Sequence, residues 1–157
     1  MQQKKEANLQ GISLVEVDLN GVHLQRANLA NSSLNGVNLS QAKLGQANLM
    51  GASLQDVSLE RADLVKANLQ NADLTGANLQ GADLRLSNLQ HANLNSADLS
   101  EAYLVYADLR GADLTGTNLY RADLIRANLE GVHIENTNLS EARIMKQALA
   151  DLLNNSQ

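Results

Sequence analysis

From Leu9 to Leu149, every fifth residue is leucine, except for Ile134 and Ile144. No insertion or deletion interrupts the register. A period of five fits neither regular element. On an α-helix five residues turn about 500°, so the leucines would wind around the surface instead of forming a stripe. In a continuous strand they would alternate faces, because five is odd and the side-chain period is two.

Within one unit the pattern makes sense. The residue two before each leucine is small: mostly Ala, with Val or Ile at several positions and Ser32, Ser87, Thr117 and Thr137 as polar versions. Only Gln147 is large and polar there. A short extended segment points both residues inward, and the next two residues turn the corner. Glycine recurs at these corners (Gly11, Gly21, Gly36, Gly51, Gly76, Gly81, Gly111, Gly116, Gly131), where a tight turn asks for φ > 0. Repeated corners of one hand close a coil, and coils stack into a solenoid. A step of 20 fits best: Asn8, Asn28, Asn48, Asn68 and Asn88 run unbroken, followed by Asp108 and Asn128. A step of 15 is less uniform, so four sides per coil are expected.

These residues resemble the pentapeptide-repeat family, whose motif is A(D/N)LXX, over residues 7 to 149. The resemblance implies an all-β solenoid, a right-handed quadrilateral β-helix. It also implies about seven coils, stacked at about 4.8 Å into a rod of about 34 Å. Many members place Phe at some central positions; this chain has none, so a uniform, leucine-filled bore is expected. The family's abundance in cyanobacteria implies a cyanobacterial type of member.

The expected organisation is an N-terminal tail over residues 1–6, the β-helix over 7–140, and a helical cap with tail over 141–157. In the last segment Ile144, Met145, Ala148, Leu149, Leu152 and Leu153 follow an i, i+3/i+4 pattern. Ser140 serves as N-cap, Glu141 lies in the first turn and Asn154-Asn155 is the stop. At the other end, Ile12, Val17 and Val22 are bulkier than the usual Ala. The first coil is therefore expected to be the weaker end, or to be covered by a partner.

The chain has no Cys, which excludes a disulfide framework, a thiol nucleophile and a Cys-based zinc site. No apolar run follows Lys4 and Lys5, and none approaches a membrane span of about 18 residues. A cytoplasmic protein is expected. A net charge of −5 argues against direct nucleic-acid binding.

Grouping units by fours gives four faces. Face A (Leu9, Leu29 and onward) is almost uncharged. Face B (Leu14 and onward) carries Glu16, Asp56, Asp73, Asp113 and Glu135 and no Lys or Arg. Face C (Leu19 and onward) mixes both signs. Face D (Leu24 and onward) carries Arg26, Lys43, Lys66, Arg85, Arg126, Arg143 and Lys146 against Asp63, Asp83 and Asp123. Face D also concentrates outward apolar residues. The candidate interaction patch is Val65, Arg85, Leu86, Tyr103, Val105, Tyr106, Ile125 and Arg126, since Tyr and Arg around aliphatic residues compose binding patches.

The three histidines fall on different faces and coils, and no nucleophile–base pair or phosphate loop is visible. The Asn series reads as structural, with stacked side chains bonding one another or local backbone. The expected role is a non-enzymatic protein-binding scaffold without metal or cofactor, with a homodimer through face D or a solenoid end as one form. The alternative is a DNA mimic: some members resemble a duplex and bind DNA gyrase, giving fluoroquinolone resistance. Face B fits that role weakly, and the basic face D opposes it.

Overall fold

The structure is a computed structural model that describes residues 6–14 and 17–155, with side chains as far as 152. Most of the expected tail, together with Glu16, the Leu153 side chain and residues 156–157, lies outside the described residues. Successive parallel β-bridges join residues 20 apart, beginning with Asn8 to Asn28 and ending with Asp123 to Arg143. They form four columns, each passing through seven residues. Each side of the coil therefore contributes one bridge residue per turn, the one just before the leucine.

All five backbone N–H groups of a repeat find acceptors in the regular units, and this explains the motif letter by letter. In the unit around Leu49, Asn48 N–H reaches down to Ala27 O at 2.9 Å, while Leu49 N–H reaches up to Asn68 O at 2.7 Å. Gly51 N–H reaches up to Gln70 O at 2.9 Å, and Ala52 N–H closes the corner onto Leu49 O at 3.0 Å. The remaining N–H, that of Met50, would point outward without a backbone partner. The Asn48 side chain accepts it through Oδ1 at 3.2 Å. Asp and Asn favour such local turns, so the polar letter before leucine completes the backbone hydrogen bonding. Ser53 cannot reach that N–H in the same way, and Gln55 N–H instead finds Asn35 Oδ1 from the coil below, at 2.9 Å.

The Asn series is a ladder as well. Asn28, Asn48, Asn68 and Asn88 each donate Nδ2–H to the Oδ1 of the Asn one coil below, at 3.2–3.3 Å. Asp108 has no N–H to continue the run. It accepts instead from Gln90 Nε2 at 2.6 Å and from Arg110 Nε and Nη2 at 2.9 and 2.7 Å.

The corners are two unlike positions. The second residue after leucine has positive φ at seventeen non-glycine positions, between 53° and 61°, and at nine glycines. With the closing hydrogen bond onto the leucine carbonyl, this is a type II turn pattern. Each non-glycine residue there costs about 1–2 kcal/mol relative to an ordinary conformation. The cost is sustained because hydrogen bonds on both sides fix the corner.

The inward Ala and Leu of the repeats from Ala27 to Leu124 are buried to 2% exposure or less and form one continuous core. Two buried hydroxyls in the small-residue column turn to backbone: Ser87 Oγ donates to Leu84 O at 2.7 Å and Thr117 Oγ1 to Leu94 O at 2.7 Å; the buried Ser32 Oγ has no hydrogen-bond partner. At the first coil Leu9, Leu14, Leu19 and Leu24 are only half-buried, and Val17 is exposed.

The other end carries the single helix found among the described residues, α1, Lys146–Asn155. It starts later than the local capping signal indicates. Ser140 and Glu141 form another repeat corner, with Glu141 at φ 57° and Ser140 O accepting Arg121 N–H at 3.1 Å. The ladder of the coil below holds that backbone, and the bridge from Asp123 to Arg143 extends the register further. Leu152 is 5% exposed and joins the core. No described helix is long and apolar enough to cross a membrane.

The two corner positions should respond differently to a β-branched side chain. Asn71→Val, at φ 58°, is expected to lower unfolding free energy by about 1–3 kcal/mol. Gln70→Val, one residue earlier, should change it by less than about 0.5 kcal/mol. Guanidinium denaturation of both variants measures the contrast.

Asp108 gives a pH signature. The Arg110 hydrogen bonds, opposed by burial and aided by Gln90, lower its pKa from the ordinary 3.8 to about 2. A depressed carboxyl contributes stability that is present above its unfolded pKa and lost as pH falls through the folded one. Asp108→Asn removes that contribution. The stability gap between wild type and variant should therefore shrink as pH drops from 3.8 to about 2, as read by thermal melts across that range.

Candidate functional site

The motif and its exceptions are distributed unevenly. Within the repeats, the Asn, Asp or Ser before the central residue is replaced at His23, Lys43, Tyr103, His133 and Arg143. All but His133 lie in the single bridge column His23–Lys43–Asp63–Asp83–Tyr103–Asp123–Arg143 of face D. At Asp63, Asp83 and Asp123 the carboxylate accepts the N–H of Val65, Arg85 and Ile125 at 3.1–3.2 Å. Tyr103 offers no such oxygen to Val105. Large side chains thus displace the short polar residue mainly on one face.

The same face carries the exposed apolar surface. Leu86, Tyr103, Tyr106 and Met145 are four of the six exposed large hydrophobic residues among those described, and they are 48–52% exposed. Leu86 and Tyr106 also hold positive φ, at 61° and 60°, which is uncommon for bulky side chains.

Five of the eight candidate residues surround one shallow groove. Val65, Arg85, Leu86, Val105 and Tyr106 line a concavity of about 330 Å³ along the corner where face D turns toward face A. Arg126 caps its upper end, with its guanidinium 5.4 Å from the Tyr106 ring centroid and hydrogen-bonded to the Tyr106 hydroxyl. Ile125 continues the Val65–Arg85–Val105 column and is half-buried. Tyr103 stands apart on the flat of the face, between Asp83 and Asp123. The hydrogen bonds between coils lengthen along this corner, from 2.8 Å at Gln46 to 3.0 Å at Lys66, 3.1 Å at Leu86 and 3.3 Å at Tyr106.

The basic charge of face D is partly engaged. Asp83 holds Arg85 through two hydrogen bonds of 2.8 and 2.6 Å, and Asp123 holds Arg143 at 2.7 Å. Lys43 and Lys66 form no ion pair among the described residues. Lys66 stands one coil below Leu86 in the corner column, next to the groove. The sequence-based patch does not include it, although it lies on the same basic face.

Other groups are engaged within the scaffold. On face B, burial raises the Asp73 pKa, but hydrogen bonds from Thr75 and Gln55 outweigh it and leave the carboxyl below its ordinary range. Thr115 likewise lowers Asp113. On face C, Arg121 pairs with Glu141 at 2.7 Å and stacks on Tyr120 at 4.8 Å. No group of three or more His, Asp or Glu side chains among the described residues could hold a metal ion. A second concavity, of about 550 Å³, lies between α1 and the last coil, against Leu129, Glu130, Ala148 and Asp151.

Tyr103→Asn restores the missing acceptor for Val105 N–H. It is expected to raise unfolding free energy by about 0.5–1.5 kcal/mol while deleting an exposed aromatic ring. A higher melting temperature than wild type is the outcome to look for.

Comparison with known proteins agrees with this architecture. The family model for pentapeptide repeats matches in 8 copies, over residues 5–41, 32–71, 52–90, 67–104, 92–131 and 102–141. No curated protein matches the chain. Among solved structures, HetL, a pentapeptide repeat protein involved in heterocyst differentiation regulation in the cyanobacterium Nostoc sp. strain PCC 7120, is 35% identical with a TM-score of 0.65. That match covers 88% of this chain and 68% of HetL. A pentapeptide repeat protein of the Arabidopsis thaliana thylakoid lumen is 33% identical with a TM-score of 0.62, over 64% of this chain and 70% of its own. QnrB1, a plasmid-mediated fluoroquinolone resistance protein, is 17% identical over 96% of this chain and 89% of its own. Its TM-score of 0.46 is too low to bear on activity. With the family model spanning nearly all of the repeats, the chain belongs to the pentapeptide-repeat family.

Proposed function

We propose that this protein is a non-enzymatic scaffold, a right-handed rod of about seven coils that binds a protein partner along face D and its groove-bearing corner. The observation that carries this reading is the clustering on face D of residues that serve the scaffold poorly. Four of its seven bridge positions carry a large His, Lys, Tyr or Arg in place of Asn, Asp or Ser, against one, His133, on face B and none on faces A and C. The same face presents the exposed Leu86, Tyr103 and Tyr106. Large aromatic and aliphatic side chains beside Arg are the composition of binding hot spots.

The DNA-mimic reading draws on face B. A duplex-like surface needs free carboxylates in a regular array. Asp73 and Asp113 are instead bound by threonines of their own corners, so the face offers fewer free charges than its sequence suggests.

Affinity capture from the native cell tests the scaffold reading. Wild-type protein is expected to retain a partner that a Val105→Glu/Tyr106→Glu double variant loses. A face-C variant, Arg61→Glu, should retain it. Equal capture by all three, with unchanged melting temperatures, would rule out face D as the binding surface.

A further inference from the structure

We propose that the corner groove takes an extended acidic segment of a partner protein, with apolar side chains at its centre, laid along the rod axis. This rests on the scaffold reading above and names the chemistry of its partner.

The first ground is size. A groove of about 330 Å³ admits two or three side chains, which suits a linear segment better than a folded face. Its walls, Val65, Leu86, Val105 and the Tyr106 ring, are mainly apolar, so the centre of the segment must be apolar.

The second ground is charge. The corner column reads Lys66, Leu86, Tyr106, Arg126, which places one cation at each end of the apolar stretch. Neither cation has a carboxylate partner among the described residues. The nearby acids are largely occupied. Asp83 is held by Arg85, Asp123 by Arg143, and Asp108 on the adjoining face by Arg110. Asp63 turns one oxygen to Val65 N–H and is the remaining acid on this stretch of face D. Glu130 and Asp151 share the second concavity with Arg126, on the side away from the groove walls, whereas no carboxylate lines the groove itself. With a cation at each end and Arg85 in its wall, the groove is complemented by an acidic ligand.

The third ground is spacing. Lys66 and Arg126 are three coils apart, about 14 Å at the usual strand separation of about 4.8 Å. An extended chain advances about 3.3 Å per residue, so about four residues span the two cations. The segment thus has acidic residues on both sides of an apolar pair. A second copy docking face D to face D would oppose these cations to their own equivalents, which is unfavourable at a two-fold contact.

The test uses the whole chain and a fluorescein-labelled peptide, Gly-Glu-Glu-Leu-Phe-Glu-Glu-Gly, followed by anisotropy. Two control peptides replace Leu-Phe by Ser-Ser, or every Glu by Lys. Saturable binding of the first peptide alone is expected. Lys66→Glu, Arg126→Glu and Leu86→Ser should each weaken it about tenfold or more, with Arg61→Glu unchanged and all melting temperatures near wild type. Absence of saturable binding, or equal binding of either control peptide, overturns the proposal. So does a dimer in sedimentation that Lys66→Glu dissolves, because the corner then belongs to a second copy. If the peptides fail while the Val105→Glu/Tyr106→Glu variant still loses its captured partner, only the acidic chemistry falls. If both fail, the scaffold reading falls as well.

Discussion

The structure depends on supplying an acceptor to every backbone N–H in a chain that turns a corner each five residues. A helix or a broad sheet achieves this with backbone alone. A coil with one bridge residue per side cannot, because each corner leaves one N–H pointing outward. Where Asn or Asp stands before the leucine it supplies that acceptor, as Asn48 does for Met50 and Asp63 for Val65. Most of the polar content of the repeat is therefore structural. It holds the corner, and the corner in turn holds Ala and Leu inward.

That constraint also shows which residues are free. A side chain that neither fills the bore nor closes a corner has no task inside the rod, and face D collects such residues. Tyr103 and Lys43 occupy acceptor positions without accepting, and Leu86 and Tyr106 hold a backbone conformation that suits glycine or asparagine better. Each of these choices costs the scaffold something locally. Their alignment in neighbouring columns gives the surface a shape and a charge that no other face has.

Much of the fold was legible because the period of five leaves few solutions. The inward Ala and Leu, the step of 20 and the glycines at corners all follow from sterics and register. The unlikeness of the two variable positions was present in the sequence but unread. The second position contains no Val, Ile or Thr, whereas the first contains Val65, Thr75, Val105, Thr115 and Ile125, as a positive φ at the second demands. The helix starts later than its local signal for the opposite reason. Ser140 and Glu141 carry a genuine local capping signal, but the coil below already holds their backbone. Of the candidate site, the exposed aromatics were legible from composition and register. The groove was not, because it depends on a slight opening of the corner, and Lys66 gains meaning only beside it.

The uniform step of 20 means that position along the chain acts as an angle. Removing one repeat anywhere between Lys66 and Arg126 would leave the local fold intact yet rotate everything beyond it by a quarter turn. Arg126 would then no longer share an edge with Lys66, and a loss just after Lys66 would displace Leu86 and Tyr106 as well. Removing four repeats would shorten the rod and keep the edges in phase. Length in this molecule is tolerant in units of a full turn and intolerant within one, so its surface is specified by phase as much as by residue identity.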